Sequence, residues 1–168
     1  MKTSGIVACV VATLCLVAVP TQAQSKAQAG FDRLKTLVGE WEGIAGKGET
    51  AAVSYRLVSN GSALEETLRV GKDETMITMY HLDGDRLMVT HYCAAGNQPR
   101  MVATPDPGNP NVIAFNFLDA TNLSSPDAGH MRSLVVTLVD KDHFTQRWTW
   151  REKGKEDKWD LFKLSRKK

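Results

Sequence analysis

A short helical pattern runs without a break into a glycine-flanked tryptophan at Phe31-Asp32-Arg33-Leu34-Lys35-Thr36-Leu37-Val38-Gly39-Glu40-Trp41-Glu42-Gly43. Over residues 25–38 the apolar Phe31, Leu34, Leu37 and Val38 fall on one helical face, and Gly39 stops the helix. After that point the apolar period is two, with tight-turn residues every few positions to the end of the chain. One helix followed only by short alternating strands constrains the chain to an antiparallel sheet folded on itself. A small barrel of this kind either fills its interior with side chains or holds one small ligand there.

The strands are legible from their alternation. Val53, Tyr55 and Leu57 alternate with polar residues up to the turn Asn60-Gly61, and Leu64, Leu68 and Val70 return with Glu66 on their inward side. Gly71-Lys72-Asp73 marks the next turn. A hairpin is expected across Asp83-Gly84, with these two as loop residues, so that Tyr80 opposes Leu87, Thr78 opposes Val89 and Met76 opposes His91. One face then carries Met76, Thr78, Tyr80, Leu87, Val89, His91 and Cys93. The other carries Ile77, Met79, His81, Arg86, Met88, Thr90 and Tyr92, and is apolar enough to suggest a cover. A short strand over residues 100–104, a proline-rich loop at 105–110, a strand at 113–117, a long loop at 119–129 and a hairpin across Asp140-Lys141-Asp142 follow. Residues 158–165 close the chain. The expectation is an all-β, single antiparallel up-and-down β-barrel of about ten strands with an N-terminal capping helix.

The first 23 residues read as an export signal. Lys2 precedes an apolar run from Ile6 to Val19, too short to span a membrane, and Thr21 and Ala23 suit cleavage after Ala23. The chain thus divides into residues 1–23, a signal peptide, and residues 24–168, the barrel domain, bound for the periplasm or for secretion. Of Cys9, Cys15 and Cys93 only Cys93 would survive, so the fold must stand without an internal disulfide. The chain carries 21 Lys and Arg against 19 Asp and Glu, and cleavage takes only Lys2 from that balance. Near-neutrality gives no reason to expect nucleic acid as partner, and no membrane span is present in the mature chain.

Gly39-Glu40-Trp41-Glu42-Gly43 with its preceding helix resembles the opening of the lipocalin and fatty-acid-binding superfamily. Extended to Ile44-Ala45-Gly46, it looks like the nitrobindin-type branch, with Ala45 in place of that motif's third glycine. The resemblance implies a lipocalin-like barrel in which Trp41, held by Gly39 and Gly43, packs across the closed end. It also brings haem as a possible cofactor, held by a histidine near the C-terminus. No histidine follows His143, so that iron ligand does not carry over. Residues 90–101 look similar to a segment of uncharacterised exported lipocalin-like proteins, which implies no activity.

His91 and Cys93, two apart on one strand, share a face, and Asn97-Gln98-Pro99-Arg100 follows at a connection. Histidine with a thiol suits nucleophilic or soft-metal chemistry, and an arginine orients an anion. The same residues also suit a loop that satisfies backbone groups, with Cys93 a small buried hydrophobe. Met76, Met79, Met88 and Met101 near His81 and His91 form a Cu(I)-type donor set, but alternation divides them between two faces, so no metal site is assigned. No Gly-x-Ser-x-Gly elbow is present. Glu66 and His130 are an acid–base pair only if both face inward, and a Glu66 bonded to a tyrosine or arginine is the alternative. Phe144, Trp148 and Trp150 share one strand face, here paired with Met131, Ser133, Val135, Thr137 and Val139, and make an aromatic wall.

The sequence therefore points first to a protein that binds or carries a small, mainly apolar molecule in the lumen. Tyr80, Trp148 and Trp150 would form walls, and His91, Cys93 and Arg100 a polar anchor. Two alternatives stand beside it: an enzyme with a lumenal His91, Cys93 and Arg100 site, and an interaction protein with a filled barrel.

Overall fold

The computed structural model describes residues 25–168 apart from 47, 73–74 and 106–107. The expected signal peptide and cleavage site therefore lie outside the described residues, as do Asp73 of one turn and part of the proline-rich loop. The helix α1 (Lys26–Lys35) begins at Ser25, whose side-chain oxygen accepts from the Gln28 backbone N–H, and ends with Arg33 and Lys35 near its negative pole. Phe31, Leu34 and Leu37 are buried as their spacing requires, whereas Val38 turns outward.

Ten strands follow: β1 (Gly39–Ile44), β2 (Thr50–Val58), β3 (Ala63–Val70), β4 (Met76–Asp83), β5 (Arg86–Tyr92), β6 (Gln98–Pro105), β7 (Val112–Thr121), β8 (His130–Leu138), β9 (His143–Arg151) and β10 (Lys158–Arg166). Each pairs antiparallel with the next, and β1 pairs with β10, so the sheet closes into a barrel without an edge. Trp41 partners Arg166 across that seam, and Gly43 partners Leu164. The helix packs against β4, β5 and β6 at one end. The other end, built from the turns after β1, β3, β5, β7 and β9, is the mouth.

Trp41 sits at the closed end, as the motif implies. Its indole N–H donates to the Leu37 carbonyl at 2.7 Å, and its ring meets Phe144 edge-on with centroids 4.7 Å apart. The Arg166 guanidinium lies 4.1 Å above the ring and donates to the carbonyls of Val38 and Thr36. At Gly43 a Cβ would lie 1.9 Å from the Lys163 carbonyl oxygen, so only glycine lets β1 and β10 approach.

Two pairings differ from the sequence reading. Asp83 pairs with Arg86 and Leu82 with Leu87, so the hairpin loop is Gly84-Asp85 and every partner moves by two: Tyr80 opposes Val89 and Thr78 opposes His91. Gly84, with φ +57°, holds the first loop position, which a type II′ turn reserves for glycine. A shift of two leaves the faces unchanged, and Thr78, Tyr80, Leu87, Val89 and His91 are all buried. In β8 it is Leu134 and Val136 that pair inward with Trp148 and Gln146, while Met131 pairs with Trp150. A β-bulge between Met131 and Ser133 changes the parity of the strand, which alternation alone does not reveal. The second face of the β4–β5 hairpin is not covered throughout: its cross-strand pair Ile77 and Tyr92 is exposed.

Candidate functional site

Among the described residues the barrel interior holds one fully buried carboxyl group, and it organises its surroundings. Glu66 on β3 lies opposite Tyr55 on β2 and is completely buried. Tyr55 and Tyr80 donate their hydroxyls to Glu66 Oε2 at 2.7 and 2.6 Å, and Gln146 Nε2 donates to the same oxygen at 2.8 Å. Gln146 Oε1 accepts from the Trp148 indole N–H at 3.2 Å. Glu66 Oε1 has no partner among the described residues. Burial raises the Glu66 carboxyl above its ordinary value, and the three donated bonds oppose that without reversing it. Both tyrosines are pushed well above theirs, first by burial and then by the neighbouring Glu66. Unlike a solvated acid–base pair, this group is walled in on every side.

Above this network, toward the mouth, lies a cavity of about 200 Å³. Leu68, Val70, Met76, Met131, Trp148 and Phe162 give it apolar walls, and Glu49 and Asp160 stand at its rim. The bulge in β8 is what brings Met131 to this wall. His91 lines the cavity from β5. Its Nδ1 is bonded to Thr78 Oγ1 at 2.9 Å, its ring lies against Trp148 with centroids 4.5 Å apart, and its Nε2 is buried without a hydrogen-bond partner. Desolvation lowers the His91 pKa to about 4, so the ring is neutral at physiological pH. The site thus combines an apolar, aromatic-lined space with one neutral polar atom left unpaired.

The six residues singled out in the sequence fall in different places. Tyr80, His91 and Trp148 are inside the barrel, and His91 and Trp148 touch. Trp150 is half-buried and lies across Gly129, where a Cβ would come 2.2 Å from the indole. Cys93 begins the turn after β5, its backbone tied to Asn97 and Gly96, and burial pushes its thiol up, which is the wrong direction for a nucleophile. Arg100 partners Thr90 on the outer face and forms a two-pronged ion pair with Asp119. The barrel wall therefore separates Arg100 from His91. His130 is bonded to the Ala128 carbonyl and stacked on Phe117, and Glu66 binds tyrosines instead. Of the methionines near His81 and His91, only Met76 lines the cavity with His91. Among the described residues no cluster of three or more His, Cys, Asp or Glu could hold a metal.

Gln146, Tyr55, Met131 and Phe162 are site residues that the sequence reading does not single out. Gln146 had a signal: it is the one polar residue between Phe144 and Trp148 on an otherwise aromatic face. The residues present do not fit haem. The cavity is of the order of the ~150 Å³ space that takes a single benzene ring, well short of a four-pyrrole macrocycle.

No family model matches the sequence, and no curated protein matches it. Solved structures do. One is a protein of unknown function of the DUF3598 family from Nostoc punctiforme, with a TM-score of 0.56 at 17% identity over 80% of this chain. The present chain spans about half of that protein, 49% of its length. Another is Rv2717c from M. tuberculosis, with a TM-score of 0.55 at 20% identity, covering 83% of this chain and 98% of that one. Likeness at such identities is a likeness of fold, and it sets this chain among closed β-barrel proteins.

Proposed function

We propose that this protein is an exported, lipocalin-like carrier that binds one small, mainly apolar molecule in the mouth of its barrel. The observation that supports it most is the cavity beside His91: apolar walls, a volume of about 200 Å³, and a buried imidazole nitrogen with no hydrogen-bond partner among the described residues. Ligand sites generally pair a largely apolar lining with a few placed polar groups. The Glu66 network supports the same reading, because the bond from Trp148 to Gln146 holds one wall of the cavity in place before a ligand arrives. A binding role also accords better with the Cys93 thiol, which burial makes less reactive, than an enzymatic one does. Location outside the cytoplasm rests on the signal-like residues 1–23, with cleavage after Ala23.

The test is to purify the protein from its native envelope and compare its native and denatured masses. The expected result is an excess of one small organic molecule that leaves on denaturation, on a chain that begins at Gln24. A bare native mass that stays bare when small aromatic compounds are added would overturn the binding reading. A chain still carrying residues 1–23 would overturn cleavage.

A further inference from the structure

His91 can carry its ring proton on either nitrogen, and the two choices leave different groups unpaired. Thr78 and His91 are cross-strand partners, both buried, and the bond between Thr78 Oγ1 and His91 Nδ1 is the one side-chain bond either makes among the described residues. Were Nδ1–H the donor, the Thr78 hydroxyl hydrogen and the Nε2 lone pair would both be buried unpaired. With Thr78 donating to Nδ1, a single group is left over: Nε2–H. Each unpaired buried polar group costs free energy, so the second arrangement is favoured. The leftover group is a buried hydrogen-bond donor on a side chain that lines the cavity and packs against Trp148, and a ligand acceptor meets it by displacing the atoms that cover it.

The rim adds a second selection. Glu49 and Asp160 are the charged residues among the described lining residues, and both are acidic. Among the described lining residues a ligand carboxylate would approach two like charges and meet no Lys or Arg.

Resting on the binding reading above, the geometry points to a neutral aromatic acceptor as the ligand class. It is a single flat ring bearing an uncharged carbonyl, ether or aza nitrogen, stacked along Trp148, with that acceptor on His91 Nε2–H. A purely hydrocarbon ring fills the same space and leaves the donor unpaired. An aromatic acid brings an acceptor but is repelled at the rim.

Three probes of nearly equal shape separate these possibilities: acetophenone, α-methylstyrene, in which a CH₂ replaces the carbonyl oxygen, and benzoate. They are titrated into ¹⁵N-labelled protein near neutral pH and followed by the His91 ring and Trp148 indole resonances. Acetophenone should bind about tenfold more tightly than α-methylstyrene, the worth of one hydrogen bond to an otherwise unpaired donor, and benzoate should bind more weakly than either. Equal affinity for the first two would overturn the donor assignment while leaving the cavity a binding site. Benzoate binding best would overturn the argument from the rim. No binding by any of them would overturn this inference together with the binding reading. The tautomer has its own check in the free protein. Long-range ¹H–¹⁵N correlations should place the proton on His91 Nε2, and a proton on Nδ1 would overturn the assignment whatever the ligands do. In His91→Phe the preference for acetophenone should vanish; the wild-type comparison stands even if that variant fails to fold.

Discussion

Glu66 shows how one residue can be both a cost and an organiser. Its carboxyl is completely buried, and three donors converge on one of its oxygens while the other has none. Because its folded pKa is raised above the unfolded value, the folded state binds more protons than the unfolded one over that interval. The associated stability is present below the ordinary glutamate value and is lost as pH rises through the folded pKa. Glu66→Gln keeps an acceptor for Tyr55 and Tyr80 but cannot ionise. Its stability relative to the wild type should therefore improve with rising pH, read by urea unfolding between pH 4 and 8; a constant difference would show that Glu66 does not titrate there. Glu66→Leu leaves the Tyr55 and Tyr80 hydroxyls buried without their acceptor, while the Gln146 amide keeps the Tyr55 hydroxyl oxygen, and should cost roughly 2–5 kcal/mol. His91 works in the opposite sense. Its pKa falls from 6.5 unfolded to about 4 folded, so its contribution is present above 6.5 and is lost as pH drops toward 4. That loss is of order 3 kcal/mol and should be missing from His91→Phe in acid unfolding curves, whereas an unchanged acid limb would place the loss elsewhere.

Among the elements, β1 is the least forgiving, because its two neighbours are the second strand of the chain and the last. At Gly43 an added Cβ would meet the Lys163 carbonyl, which is backbone and cannot swing aside. Gly43→Ala should thus cost about 3 kcal/mol or more, seen as a lower urea midpoint, and should weaken amide-exchange protection first at the β1–β10 seam. Protection lost evenly around the barrel would speak against a local opening. Element by element, alternation and turn residues were enough to read ten strands and one helix, since both signals are local. What they cannot carry is a relation between strands. The β4–β5 hairpin keeps its faces but moves by two residues, because turn composition marks a loop without fixing its first position. In β8, one bulge turns Met131 inward ahead of Leu134, and a bulge is defined by two strands together. The polar core was half visible: Glu66 sits among inward apolar residues, but its partner Gln146 lies 80 positions away. Arg100 shows the opposite failure, since reading it as part of a connection hid the strand parity that turns it outward.

At the scale of the molecule, Glu66 and His91 lean in opposite directions with pH, and both bear on Trp148, one through Gln146 and the other by ring contact. Where their titrations overlap, the wild type should show a flatter stability profile than either Glu66→Gln, which would rise with pH, or His91→Phe, which would fall. Parallel profiles for the three proteins would mean that the two groups are not the source of the pH dependence. Inside the barrel Leu34, Trp41 and Phe144 pack the helix end and the site beside His91 lies near the mouth, while a second space of about 250 Å³ lies between α1 and the strands β5 to β7. The packed aromatic residues beneath the Glu66 network give the small site its floor. The closing seam has one further consequence, in time instead of space. Arg166 holds carbonyls at Val38 and Thr36, the latter 130 positions earlier, and β10 is synthesised after the nine strands before it. Until it emerges, β1 and β9 both present bare edges, and no barrel can form. A chain that lacks β10 therefore keeps two free edges that invite a neighbour.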